Sequence, residues 1–132
     1  MNRKIILLFT ILLFLHILHI LEEILGRAWF IDIIYGGLKN FIILMVILFI
    51  IPLVFFYLAL KKKKFSYYAI YIYAGIMIID GLIHIVEFII YRKYFNGSAG
   101  LFTGIGFVIV GIPLIYNLKK ENTLANRIKI KK

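Results

Sequence analysis

Four apolar runs of membrane length make up most of this chain, and two of them carry ionisable residues at matching spacing. The first run begins at Ile5 and ends in His19-Ile20-Leu21-Glu22-Glu23. The third contains His84-Ile85-Val86-Glu87 near its end. A charged side chain at the centre of such a helix costs about 2.5–3.5 kcal/mol on insertion scales. A chain that accepts this cost twice, in one pattern, points to a site built from those residues.

Composition agrees with a membrane location. The 132 residues are 64% hydrophobic, with a mean hydropathy of +1.01, beyond the range of soluble domains. That length accommodates about four spans of ~20 residues. It leaves no space for a soluble catalytic domain, so any chemistry belongs to the helix bundle. There is no cysteine, which excludes thiolate metal sites, disulfides and a cysteine nucleophile. The net charge of +10 does not indicate a nucleic-acid partner. The basic residues sit at the ends of the apolar runs, where they set topology and meet anionic lipid headgroups. Asn2-Arg3-Lys4 ahead of an apolar run has the look of a signal peptide. The run is too long for one, carries His16, His19, Glu22 and Glu23, and precedes no small-residue cleavage site. It reads as a retained first helix.

In chain order, the first helix is expected over Ile5 to Leu25. An interfacial exit at Gly26-Arg27-Ala28-Trp29-Phe30 and a loop ending at Gly36-Gly37 follow. The second helix is expected over Leu38 to Leu60, kinked at Pro52. Lys61 to Lys64 form a basic loop. The third helix spans Phe65 to Tyr91 and opens with tyrosines 67, 68, 71 and 73, read as packing and interfacial residues. Arg92-Lys93-Tyr94-Phe95 repeats the first exit, Asn96 to Gly100 forms a loop, and the fourth helix runs from Leu101 to Leu118 with Pro113 inside. Gly100 and Gly104 form a small-xxx-small pair that suits close helix packing. The membrane domain is thus 1–118, and 119–132 is a basic tail. Positive charge concentrates at the N-terminus, the lysine loop and the tail, which places both termini in the cytoplasm of a multi-pass protein of the cell membrane.

The halves read as copies, units of about 1–60 and 65–118. A 65-residue shift lays His19, Glu22 and Arg27 on His84, Glu87 and Arg92, and Trp29-Phe30 on Tyr94-Phe95. Ile51-Pro52-Leu53 matches Ile112-Pro113-Leu114 at a shift of 61. The expected fold is all-α: a four-helix transmembrane bundle formed by parallel duplication of a two-helix unit. At ~1.5 Å per residue, His19 lies about 21 Å beyond Ile5 and His84 about 28 Å beyond Phe65, both in the outer part of the bilayer. Asp80, His84 and Glu87 fall within about 60° on one helix face. His16, His19 and Glu23 form a similar stripe, with Glu22 on its edge.

Imidazoles and carboxylates together suit a divalent metal, zinc or iron. A His and a Glu at i, i+3 on facing helices resemble, in reversed order, the ligand pairs of di-metal carboxylate bundles. In this scheme His19, Glu22, His84 and Glu87 are ligands, and Glu23 and Asp80 serve as acid/base or supporting groups. Without metal, the same groups suit general acid–base work or proton relay. The bland reading has the glutamates pairing with Arg27, Arg92 or Lys93 and only stapling helices. Glu22-Glu23 with Arg27 spells E-E-x-x-x-R, as in intramembrane CAAX-type proteases, but those are longer and carry histidine motifs absent here.

Taken together, these residues resemble the HXXEE-motif family of small four-helix integral membrane proteins. The motif is His19-Ile20-Leu21-Glu22-Glu23, followed by an aromatic exit at Trp29-Phe30. The family's second-half aspartate, histidine, arginine and tyrosine fall on Asp80, His84, Arg92 and Tyr94. Its P-G-L-x-T motif falls on Ala99-Gly100-Leu101-Phe102-Thr103, with alanine in place of proline. The resemblance covers the chain to about Tyr116. It implies a shared polar site and names no reaction. The expectation is an intramembrane metal-dependent enzyme for a lipid-like substrate entering between helices. The competing expectation is a proton-coupled transporter or accessory subunit. Membrane lipids are the expected surroundings, and a second copy of the chain is an alternative way to bring the two polar stripes together.

Overall fold

The computed structural model describes the backbone of residues 2–61, 63–92 and 99–130, and their side chains apart from residue 64 and residues 123–130. Lys93, Tyr94, Phe95 and the Asn96 to Ser98 part of the second exit loop lie outside the described residues. Among the described residues the chain forms helices and no strand: α1 (Arg3–Leu25), α2 (Phe30–Ile33), α3 (Leu38–Leu60), α4 (Lys64–Tyr91) and α5 (Leu101–Ile130). Four stretches are long and apolar enough to cross a membrane: Arg3–Leu25, Leu38–Leu60, Phe65–Tyr91 and Leu101–Asn122. At ~1.5 Å per residue they reach about 33–40 Å, against a hydrocarbon core of ~30 Å. The protein is a four-helix bundle of the multi-pass membrane type.

Local chemistry sets the helix ends. Asn2 caps α1, its side-chain oxygen accepting from the Lys4 N–H at 3.1 Å. At the other end the Gly26 N–H donates to the Glu22 carbonyl at 2.8 Å, and Arg27 turns left-handed at φ 52°. Arg92, 65 residues later, ends α4 in the same way at φ 48°. The expected first loop holds an extra helical turn, α2, before the chain reverses at Gly36 and Gly37. Their φ values of 68° and 118° are ones that a Cβ disfavours. The fourth helix does not stop at Leu118 but runs to Ile130. Lys119, Lys120, Glu121, Leu124, Ala125 and Arg127 are good helix formers, and no glycine or proline interrupts them.

The helices form a ring in which each touches two neighbours. α5 packs most extensively on α4 and then on α1, whereas α3 leans more sparsely on α4 and α1. α1 and α4 therefore face each other across the bundle. At one end, Glu121 of α5 accepts from the Asn2 N–H at 3.0 Å and from the Tyr67 hydroxyl at 2.6 Å, so the starts of α1 and α4 sit beside the far part of α5. Phe9, Leu12, Ile70, Phe107 and Leu114 fill the core at this end. A second, smaller cluster of Ala28, Ile31, Phe41 and Ala99 closes the opposite end. The polar residues lie between the two.

α4 and α5 meet backbone to backbone. A Cβ on Gly104 would sit 3.2 Å from both Cα and O of Gly81, the close approach that small residues permit between membrane helices. Gly81→Ala should therefore destabilise the bundle by about 1–3 kcal/mol, because the rigid Gly104 backbone must give way. Gly75→Ala, where an added Cβ meets nothing within 4 Å, should be neutral or stabilising by up to about 1 kcal/mol. Reversible unfolding in mixed micelles, run on both variants beside wild type, measures the contrast.

Candidate functional site

Helix rotation brings the polar stripes of α1 and α4 together within one chain. His19 Nε2 lies 3.2 Å from Glu23 Oε1 and 3.2 Å from Asp80 Oδ2. His84 Nε2 approaches the same Glu23 oxygen at 3.4 Å. The two imidazole rings stand nearly edge to face, with centroids 4.8 Å apart. The side chains of His19, Glu23 and His84 are 5%, 7% and 4% exposed, while Asp80 is 36% exposed. Three are thus sealed and one opens outward. His19, Asp80 and His84 each offer a ligand atom within 4.8 Å of the others, so this buried group is able to hold a metal ion.

The proton on His19 follows from its neighbours. Glu22 does not join the cluster but reaches the start of α5. There its carboxylate accepts from the backbone N–H groups of Phe102 at 3.0 Å and Thr103 at 2.9 Å, and from the Thr103 hydroxyl at 2.5 Å. A hydroxyl has one proton to donate, and the short charge-assisted bond to Glu22 takes it. The same Thr103 oxygen lies 2.8 Å from His19 Nδ1, so it must accept there, and Nδ1 carries the hydrogen. His19 therefore turns Nε2 toward Glu23 and Asp80. Two carboxylate oxygens around one ring nitrogen require positive charge among them, as a metal cation or as protons.

Gly100 completes this wall. At φ 107°, its hypothetical Cβ would lie 2.6 Å from His19 Cε1 and 2.9 Å from His84 Cε1. A side chain there would displace both rings, so the first glycine of the small-xxx-small pair serves the histidines rather than a helix crossing. The second half-site is less complete. His84 Nδ1 and Glu87 Oε2 are 3.5 Å apart, and neither buried atom has a hydrogen-bond partner among the described residues.

A cavity of about 320 Å³ adjoins the cluster between α1, α3 and α4. His16, His19, Glu23, Tyr73 and Asp80 line its polar wall. Phe41, Met45, Leu48, Pro52 and Phe55 of α3 line the apolar one. His16 sits one turn below His19 and bonds Tyr73 through Nδ1 at 2.7 Å.

The structure thus gathers His19, Glu23, Asp80 and His84, places Glu87 beside the outer edge of His84, and turns Glu22 to α5. The adjacent glutamates of the E-E pair face different partners. Sequence reasoning read Tyr73 as a packing residue. Its only signal was a position seven residues before Asp80 on the same helical face. Neither family models, nor curated proteins, nor solved structures give a match to this chain.

Thr103→Val removes the link between Glu22 and His19 Nδ1 while keeping the shape. It should cost about 1–2 kcal/mol of bundle stability and abolish the Nδ1-protonated pattern in the ¹⁵N spectrum of the His19 ring. Thr103→Ser should retain the pattern. An unchanged ring spectrum in the valine variant would show that Thr103 does not orient His19.

Proposed function

We propose that this protein is an intramembrane enzyme of the HXXEE type, whose His/Asp/Glu group holds a divalent cation, zinc or iron, and acts on a lipid-like substrate. One observation carries the reading: two imidazoles and two carboxylates converge at the wall of an apolar cavity inside the bundle. His19, His84 and Asp80 supply ligand atoms at mutual distances that suit one ion. Two carboxylates facing neutral imidazoles balance a double positive charge. Such a cation polarises a carbonyl or activates a water near neutral pH. In this assignment Asp80 moves from acid/base residue to ligand, and Glu23, held between both rings, would serve as a further ligand or as proton acceptor. Glu22 positions His19 through Thr103, and Glu87 is the nearest group to the outer nitrogen of His84.

Both termini are proposed to be cytoplasmic on the distribution of lysine and arginine. A duplicated two-helix origin is supported by the shared left-handed turns at Arg27 and Arg92. The half-sites meet within one chain, so this reading needs no second copy. A second reading, proton-coupled transport without metal, draws on the His16–Tyr73 pair, which extends the polar line a further turn into the bundle.

Metal content decides between the two readings. Detergent-purified wild type, supplied with zinc or iron and never exposed to chelator, should carry close to one ion per chain by mass spectrometry. His19→Gln/His84→Gln should lose it while keeping helical content and elution volume. A metal-free wild type would overturn the metal reading and leave the proton-relay one to be tested by proton flux in vesicles.

A further inference from the structure

The cavity has a shape, an opening and a charge pattern that together specify its occupant more narrowly than lipid-like. Its α3 wall runs from Phe41 to Phe55, 14 residues or about 21 Å at ~1.5 Å per residue. It is therefore a tall slot spanning some two thirds of a ~30 Å hydrocarbon core. At about 320 Å³ it sits near the bottom of the ~300–1,000 Å³ range of small-molecule pockets, too small for a whole two-chain phospholipid.

The slot opens sideways. Leu48 and Ile51 of α3 and Ile72 and Ile76 of α4 line it and are also exposed on the bundle surface. They rim a gap between the two helices, where α3 packs sparsely and where Pro52 removes a backbone hydrogen bond from α3. Because the rim is apolar and lies within the spans, the gap faces hydrocarbon. Its occupant arrives from the bilayer.

Charge selects the headgroup. The lining contains Glu23 and Asp80 but no lysine or arginine. A phosphate or carboxylate head would meet two carboxylates and no lysine or arginine; the positive charge held within the cluster is already matched by those two carboxylates, so a further anion is repelled at low dielectric. A neutral hydroxyl donates to the half-exposed Asp80 carboxylate and offers its oxygen to the cluster. We propose that the slot binds a neutral single-chain lipid alcohol, admitted laterally between α3 and α4, with its hydroxyl at Asp80 and its chain along α3. This rests on the functional reading above for what happens to the alcohol, but not for its binding.

The test uses a diazirine-bearing hexadecanol with the full-length protein in phosphatidylcholine nanodiscs. Photolabelling should map to α3 around Leu48 to Phe55 and to α4 around Ile72 to Ile76. Excess oleyl alcohol should reduce it at least fivefold, and oleate should not. Met45→Trp, which fills the slot, should reduce labelling severalfold, and Leu48→Phe at its rim provides a second variant. Ile109→Trp, on the lipid-facing side of α5, should leave it unchanged. Even labelling of all lipid-facing helices, or stronger competition by oleate or oleylamine than by oleyl alcohol, would overturn the proposal. A metal-loaded wild type that fails to label the slot sinks this inference alone, whereas a metal-free wild type that labels it sinks only the metal reading.

Discussion

The first turn of a helix presents backbone N–H groups with no partner inside the helix, and in hydrocarbon each one left unpaired costs several kcal/mol. At the start of α5, Glu22 of α1 receives two of them, and its negative charge sits at the positive end of the helix dipole. This contact fixes α5 against α1 in both height and rotation. Thr103 is thereby placed between Glu22 and His19, and Gly100 against both imidazole rings. Glu22, expected in sequence as a ligand, thus holds α5 and orients His19 through Thr103. Glu23, one residue on and turned about 100°, meets the histidines instead.

The two halves share a pattern but not an environment. Aligning the second helix of each half on Pro52 and Pro113 sets Lys39, Ile42 and Ile43 of α3 opposite Gly100, Thr103 and Gly104 of α5. The glycines let α5 close onto α4 and onto the histidines. The bulkier residues of α3 do not permit the same approach, and an isoleucine offers no hydroxyl to link Glu87 with His84. The result is a tight half around His19 and a loose half around His84, whose Nδ1 and neighbouring Glu87 oxygen stay unbonded among the described residues. The cavity lies beside α3 for the same reason.

The polar cluster is set in the wall of an apolar slot. The carboxylates and imidazoles lie in surroundings that screen charge poorly. Three of the four clustered side chains are almost fully enclosed, and Asp80, the most exposed of them, lines the cavity beside His19 and Glu23.

Much of this was legible in the sequence because it depends on local properties. Four spans, their limits to within a few residues, and the polar stripes of α1 and α4 all follow from run length, helical period and the cost of ionisable groups in hydrocarbon. These arise from neighbours along the chain. The extra turn of α2 was missed because four residues, Phe30–Ile33, are too few to show a helical period, and the extension of α5 past Leu118 because a polar composition does not distinguish a loop from a solvated helix. Which carboxylate faces which partner was not legible at all. The separation of Glu22 from Glu23, the Thr103 link, the recruitment of Tyr73 by His16 and the seat of Gly100 against two rings are contacts between residues far apart in the chain. They depend on the relative rotation and spacing of packed helices. The sequence by itself determined that this chain forms four membrane helices with a polar site on two of them. Only the tertiary structure, by packing α5 closely and holding α3 apart, decided which residues meet and where the cavity opens.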